Sequence, residues 1–355
     1  MFSSALLDWY SDHARKLPWR DIDDPYRIWL SEIILQQTRI EQGMAYYHHF
    51  VEHYPTVAHL AAASEEQVLK SWQGLGYYSR ARNLHAAAQY IANELGGVFP
   101  STYDEILKLK GVGKYTAAAI ASFAFHIPVP VIDGNVYRFI SRLYAISTPI
   151  NSTSAYREFE TLLNKLIDPT QPHLFNQALM DFGSIHCVPK NPDCPNCPFR
   201  NECEAHKRNT VDLFPVKAAP REAKERWFYY FQIQYTQGCH TYTFMQQRTQ
   251  ADIWKGLYEF PRIESDHPLT PHELEQQRHA LFRSLGIPSA DSTREQPVML
   301  THKLTHRTIY AHFYQYFLPA HRSPKDFFAP SYSTSQLKKL PVSRLIDKYL
   351  TSETE

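Results

Sequence analysis

Apolar positions recur at helical spacing through the first half of the chain and alternate with polar ones through much of the last third. Leu6, Leu7, Trp9 and Tyr10 predict a short amphipathic helix within residues 4–16. Two proline-punctuated loops follow, at 17–20 and 23–26. Residues 27–38 then read as a helix that buries Ile28, Leu30, Ile33, Ile34 and Leu35. Further helical patterns run over 43–95, one of them with a capped start at Ser64-Glu65-Glu66. The string Trp72-Gln73-Gly74-Leu75-Gly76-Tyr77-Tyr78-Ser79-Arg80 interrupts them, because two glycines break the helix. Such a turn can serve packing, or it can approach a duplex and wedge a side chain into the base stack. Residues 101–109 predict a capped helix and 115–125 a second, joined by Gly111-Val112-Gly113; helices over 136–144 and 155–186 follow.

Beyond residue 208 the character changes. Residues 209–226 are polar, hold two prolines and read as a linker. Residues 228–235 and 242–245 alternate as strands around a Gly238-Cys239 turn, and 304–316 alternate again. Residues 273–285 predict a helix between these strand groups. The expected organisation is a helical domain over 1–208, a linker over 209–226 and a smaller α+β domain over 227–355.

Composition narrows the classes. The chain has 355 residues, 43% of them hydrophobic, which is ample for two cores. No apolar run approaches the roughly 20 residues that span a bilayer. The first residues lack the basic start and long apolar stretch of a signal peptide, so a soluble cytoplasmic protein is expected, nucleoid-associated if bacterial. The formal net charge is only +1. Nucleic-acid binding would have to come from local placement of charge and backbone N–H groups.

Three features carry chemistry. A Gly-x-Gly turn between helices points N–H groups outward beside a helix N-terminus, a setting that suits phosphate. Asp133, in Val131-Ile132-Asp133-Gly134-Asn135, can cap the next helix, stabilise a cation, or do both. Glu32 lies inside an apolar helical stretch; it can sit on a polar face or be buried with a raised pKa. Separately, Cys187, Cys194, Cys197 and Cys203 cluster in a proline-rich loop that cannot be helical. In a reducing compartment four such thiolates predict metal, either zinc or an iron–sulfur cluster. Cys239 reads as a structural thiol.

The strings LPWR (17–20), DPYRIWLSEIILQQTRI (24–40), GLGYYSRARNLH (74–85), LKGVGKYTAAAI (109–120), VIDGNV (131–136) and FNQALMDFG (175–183), with the cysteine spacing, resemble the MutY family of adenine DNA glycosylases. The resemblance runs from near residue 6 to 208 and continues more weakly beyond. It implies an all-α helix–hairpin–helix DNA glycosylase fold, with the hairpin over 104–125 and a [4Fe–4S] loop over 187–203. It also implies a Nudix-like α+β C-terminal domain that reads 8-oxoguanine. The implied partner is double-stranded DNA with adenine opposite 8-oxoguanine or guanine, bound by a monomer. Glu32 matches the residue that protonates adenine N7 and activates water, and Asp133 the one that stabilises the sugar cation. Tyr115 and Asn135 match positions on the sugar side. Trp19, Arg20, Leu35, Ile40 and Gln177 match the adenine pocket. Gln37, Thr38, Leu75, Gly76, Tyr77 and Tyr78 match positions around the lesion pair, with Tyr77 as the wedge, and Gly111 and Gly113 match the phosphate contact.

Position 115 separates two branches. Endonuclease III-like relatives have a lysine there that forms a Schiff base and cuts the strand. Tyr115 stands in its place, and Lys114 should face elsewhere because a helix turns about 100° per residue. Base removal without β-lyase activity is expected. The alternatives are an endonuclease III-like glycosylase/lyase and a non-enzymatic helix–hairpin–helix DNA-binding protein. The family's Phe-Ser-His recognition loop is here Leu304-Thr305-His306, with Thr305 keeping the hydroxyl. The Nudix metal-binding acidic helix is missing from 273–285, so nucleotide pyrophosphohydrolysis is not expected.

Overall fold

The computed structural model describes residues 2–219, 224–250, 252–287, 296–304, 306–318 and 328–352. They form two compact units. One comprises Met1–Ala62 with Asn83–Pro220, the other Ala63–Arg82 with Arg221–Glu355. The division departs from the expected boundary, because residues 63–82 join the C-terminal unit.

The first unit is helical. Its core gathers Leu6, Tyr10, Phe139, Phe159, Phe175, Phe182 and Phe199. Helix Pro25–Leu35 starts on an Asp24 cap, which accepts from Tyr26 N at 3.0 Å and Arg27 N at 3.3 Å, with proline in the first turn where its missing N–H costs nothing. Nearly all of it is buried. It ends at Leu35, short of the expected residue 38, because Gln36 leaves the helical region at ψ 113° and Gln37 is left-handed at φ 55°. The hairpin joins helix Tyr103–Leu107, capped by Thr102, to helix Lys114–Phe125. Helix Gly134–Tyr144 follows, capped by Asp133. The single run expected over 155–186 is broken into helices Ala155–Leu166 and Pro172–Asp181 and a π-helical turn, Phe182–His186. Pro169 and Pro172 cause the first break, and Asp168 closes a local turn by accepting from Thr170 N at 2.8 Å.

Much of the expected linker is fastened down. Ile150 N donates to Val216 O at 3.0 Å, and Asn151 exchanges side-chain bonds with the Ala218 backbone.

The second unit holds a mixed sheet. Its strand order is Val298–Leu304, Arg307–Leu318, Lys224–Gln237, His240–Phe244, Ser331–Ser333, with Arg262–Ser265 also pairing with Lys224–Gln237. The central pair, Lys224–Gln237 and Arg307–Leu318, is parallel. Residues 228–233 are all buried, as expected for a strand covered on both faces. Phe282, from helix Pro271–Ser284, packs on Phe231, and Tyr349, from helix Arg344–Ser352, stacks on Phe313 with ring centroids 4.1 Å apart. The alternation expected over 304–316 falls on two strands, Leu304 ending Val298–Leu304 and Arg307 starting Arg307–Leu318, and these two residues pair antiparallel. Thr305 lies outside the described residues. No helix among the described residues is long and apolar enough to cross a membrane.

Candidate active site and cysteine loop

A cavity of about 710 Å³ opens in the helical unit, and the predicted catalytic set meets there: Glu32, Tyr115, Asp133 and Asn135 all line it. So do Trp19, Arg20, Leu35, Ile40 and Gln177, together with Gln37, Thr38, Gly111 and Gly113. Leu75, Gly76, Tyr77 and Tyr78 belong to the other unit and do not line it.

Glu32 is 7% exposed, so the polar-face alternative does not hold. Burial lifts its carboxyl to about 7, and the Asp133 charge pushes the same way. A hydrogen bond from the Tyr115 phenol and the Arg20 charge oppose the rise. The phenol itself is raised well above its usual range, first by burial and then by the two carboxylates.

Asp133 performs the capping role and still faces the cavity. One of its oxygens accepts from Asn135 N at 2.8 Å and Val136 N at 2.7 Å, and the other from Asn135 Nδ2 at 2.7 Å. Burial outweighs the bonds from Val136 and Asn135 and the Arg138 charge, and leaves its carboxyl above the ordinary value. The two carboxyls therefore have different environments. Glu32 has little solvation and one phenol, whereas Asp133 has three N–H donors that favour its anion.

The hairpin is built for close approach. Gly111 has φ 81°, and a Cβ there would lie 2.6 Å from Asn83 Cβ. The first N–H groups of helix Lys114–Phe125 lack intrahelical acceptors, as at every helix start. Lys114 reaches the cavity rim, but its ammonium sits 4.4 Å from the centre of the Tyr156 ring, and Tyr156 does not line the cavity.

Sequence reading passed over a charged anchor behind this wall. Asp181, fully buried, accepts from Arg20 Nη1 at 2.6 Å and Nη2 at 2.7 Å and from Arg15 Nε at 2.8 Å. Burial pushes the Asp181 carboxyl up, yet the two guanidiniums outweigh it and hold the group below its ordinary range. Tyr10 donates to Gln177 Oε1 at 2.8 Å, fixing a second cavity residue. Arg138 was also missed; it donates to Asn135 Oδ1 at 2.9 Å and to Cys187 O at 2.8 Å. An arginine and an aspartate inside helices carry no local signal of such long-range pairing.

The cysteine loop is compact. Cys187, Cys194, Cys197 and Cys203 line one small cavity with Phe139, Arg142 and Phe199, and none is in a disulfide. Burial pushes the Cys197 thiol up to about 12. Arg142, almost fully buried, donates to the carbonyls of Val188 at 2.8 Å, Pro189 at 3.1 Å and Val211 at 3.1 Å, and to Cys187 Sγ at 3.4 Å. Among the described residues no three His, Cys, Asp or Glu side chains converge as ligands of one metal ion.

Residues 30–169 match the family described as HhH-GPD superfamily base excision DNA repair protein, and residues 229–352 match the NUDIX domain. A thermostable thymine-DNA glycosylase superposes with a TM-score of 0.55 at 30% identity, over 58% of this chain and 95% of that one. An endonuclease III in a non-covalent DNA complex shares the fold, with a TM-score of 0.51 at 24% identity over 58% and 94%. The helical unit thus defines a helix–hairpin–helix DNA glycosylase of base excision repair.

The adenine DNA glycosylase of Buchnera aphidicola subsp. Baizongia pistaciae is 34% identical over 316 residues, 87% of this chain and 84% of the relative. That of Mus musculus is 41% identical over 332 residues, 80% and 64%. The chain belongs to the adenine DNA glycosylase family.

Proposed function

We propose that this chain excises adenine lying opposite 8-oxoguanine or guanine in double-stranded DNA, by hydrolysing the N-glycosidic bond without cutting the strand. The observation that carries this reading is the pair of unlike carboxyls, Glu32 and Asp133, on one cavity. A base inside a duplex is out of reach of an enzyme, so adenine must be flipped out before it can react. Departure of the base then needs a proton on the leaving group and stabilisation of an oxocarbenium-like sugar. Glu32, with its carboxyl at about 7, keeps a proton to deliver near neutral pH and, once ionised, can activate the attacking water. Asp133 supplies negative charge to the sugar side, its anion favoured by three N–H donors. Tyr115 and Asn135 orient these two carboxyls.

Trp19, Arg20, Leu35, Ile40 and Gln177 would receive the base. The N–H groups around Gly111 and Gly113 would hold a phosphate, a contact that carries no sequence information. Gln37, Thr38 and the turn bearing Leu75, Gly76 and Tyr77 would surround the vacated pair, with Tyr77 in the stack; Tyr78, expected beside them, is 1% exposed and holds the turn from within. Thr305 would hydrogen-bond 8-oxoguanine. Tyr115 in place of a Schiff-base lysine, with the Lys114 ammonium on Tyr156, favours base removal alone.

The four cysteines suit one [4Fe–4S] cluster. They line one common cavity, and a cluster there would be held by these four thiolates. Held by Cys187, Cys194, Cys197 and Cys203, a cluster would cross-link the loop. The chain would act as a monomer.

The test is a single-turnover incubation with a duplex carrying adenine opposite 8-oxoguanine, resolved with and without alkali. Breaks that appear only after alkali are expected. No alkali-labile site would overturn the assignment, and breaks trapped by borohydride without alkali would favour a lyase.

A further inference from the structure

The turn that bears Tyr77 is built into the C-terminal fold. We infer that Gln73 and Tyr78 are positioning residues that moor this turn on the segment around Leu340–Asp347, so that the C-terminal fold sets the pose of Tyr77 against DNA. The inference rests on the reading above that Tyr77 enters the base stack.

Tyr77 is 46% exposed, and its backbone is left-handed at φ 48°, between Gly76 at φ 75° and helix Ser79–Glu94. A side chain held in that conformation points where the surrounding bonds aim it. Some of these bonds are internal to the turn. Trp72 Nε1 donates to Gly76 O at 3.0 Å, and the Arg80 guanidinium lies over both the Trp72 and Tyr77 rings, at 5.0 and 5.8 Å.

The others leave the turn. Tyr78 is 1% exposed; its hydroxyl accepts from Gly74 N at 3.4 Å and donates to Val342 O at 3.0 Å. One hydroxyl thus ties the start of the turn to a residue 264 positions away in the chain. Gln73 ties a second point. Its Nε2 donates to Asp347 Oδ1 at 2.9 Å, and its Oε1 accepts from Val342 N at 3.4 Å and Lys70 Nζ at 3.1 Å. Val342 is itself anchored, bridging to Tyr258, whose N–H donates to Pro341 O at 2.8 Å.

The helix before the turn is fixed to the same fold. Tyr258 donates to Glu66 Oε2 at 3.1 Å, and Gly256, at φ 83°, comes so close that a Cβ there would lie 2.9 Å from Leu69 Cδ1. An aromatic wedge repays the cost of unstacking bases only if little freedom is left to lose on insertion. The moorings remove that freedom beforehand, through the fold that also carries the Leu304–Arg307 hairpin.

The test uses the full-length holoprotein and a duplex with a non-cleavable adenine analogue opposite 8-oxoguanine, with 2-aminopurine beside the pair to report unstacking. Tyr78→Phe and Gln73→Leu are compared with Tyr77→Ala and with both double variants, and thermal unfolding of each is recorded. Each mooring variant should weaken discrimination over a matched duplex about threefold to tenfold, the equivalent of one hydrogen bond, and reduce the 2-aminopurine signal at a temperature where its melting curve shows it fully folded. In the Tyr77→Ala background neither should have any further effect. Equal losses in that background would overturn the inference, as would full discrimination in both mooring variants when Tyr77→Ala is impaired. If Tyr77→Ala itself left unstacking and discrimination intact, the wedge reading would fall and take the inference with it.

Discussion

Asn135 Nδ2 donates to Asp133 Oδ2 at 2.7 Å, so the amide holds the carboxylate oxygen that does not accept the helix-capping N–H bonds. The amide is in turn oriented by Arg138 Nη2, 2.9 Å from Asn135 Oδ1. Losing a hydrogen bond to a charged group costs about 1.5–3 kcal/mol, so Asn135→Ala should slow single-turnover excision about 10- to 100-fold. Duplex affinity measured by electrophoretic mobility should change little, because the bond matters only once the sugar becomes cationic.

Glu32 gives the reaction a pH dependence. With its carboxyl at about 7, the protonated form is lost as pH rises through neutrality, and the excision rate should fall over that range. The phenol of Tyr115 lowers this value, so Tyr115→Phe should move the falling limb to higher pH. Stability follows the same sign. The folded state binds a proton that the unfolded chain releases at ordinary carboxylate pH, so wild-type stability declines between the two values. Glu32→Gln should therefore raise the melting temperature above about pH 8 and leave it unchanged near about pH 4.

Asp181 shows the opposite sign. Its carboxyl is held down by Arg20 and Arg15, so it contributes stability above the ordinary carboxylate range and loses that contribution as pH falls through its folded value. Asp181→Asn should cost about 3–5 kcal/mol in urea unfolding at neutral pH, because a buried charge pair is broken from one side. The deficit should narrow on acidification. Excision should fall as well, since Arg20 lines the cavity.

Arg142 is the clasp of the cysteine loop, donating to the carbonyls of Val188 and Pro189 within it and of Val211 beyond it. Arg142→Ala should weaken metal retention about tenfold or more, as loss of an outer hydrogen-bonding partner does at metal sites generally. Iron per chain and visible absorbance after dialysis against chelator would measure it. Lysine should not rescue the loss, because an ammonium cannot reach several carbonyls from one plane.

The local parts of this structure were legible in the sequence. Apolar spacing marked the Glu32 helix, glycines marked the hairpin, and prolines kept the cysteine loop from being helical. On periodicity alone Glu32 was a pair of alternatives, because periodicity cannot say whether a helix has a second covered face; the family resemblance was what pointed to its catalytic role. What stayed hidden depends on partners far along the chain. Gly183 stood in a matched string, yet only the fold shows that a Cβ there would meet Asn135 O at 2.5 Å. Residues 63–82 read as part of the helical domain, because nothing local indicates that Tyr78 and Gln73 bond to Val342. Asp181 drew no reading of its own, because its partners Arg15 and Arg20 lie far away in the chain.

The most direct measurement is single-turnover excision of adenine opposite 8-oxoguanine by Glu32→Gln, with duplex affinity measured on the same preparation. Glutamine keeps the shape of the side chain and removes its proton chemistry. The account predicts wild-type duplex binding and excision reduced to background at every pH. Excision near the wild-type rate would contradict it.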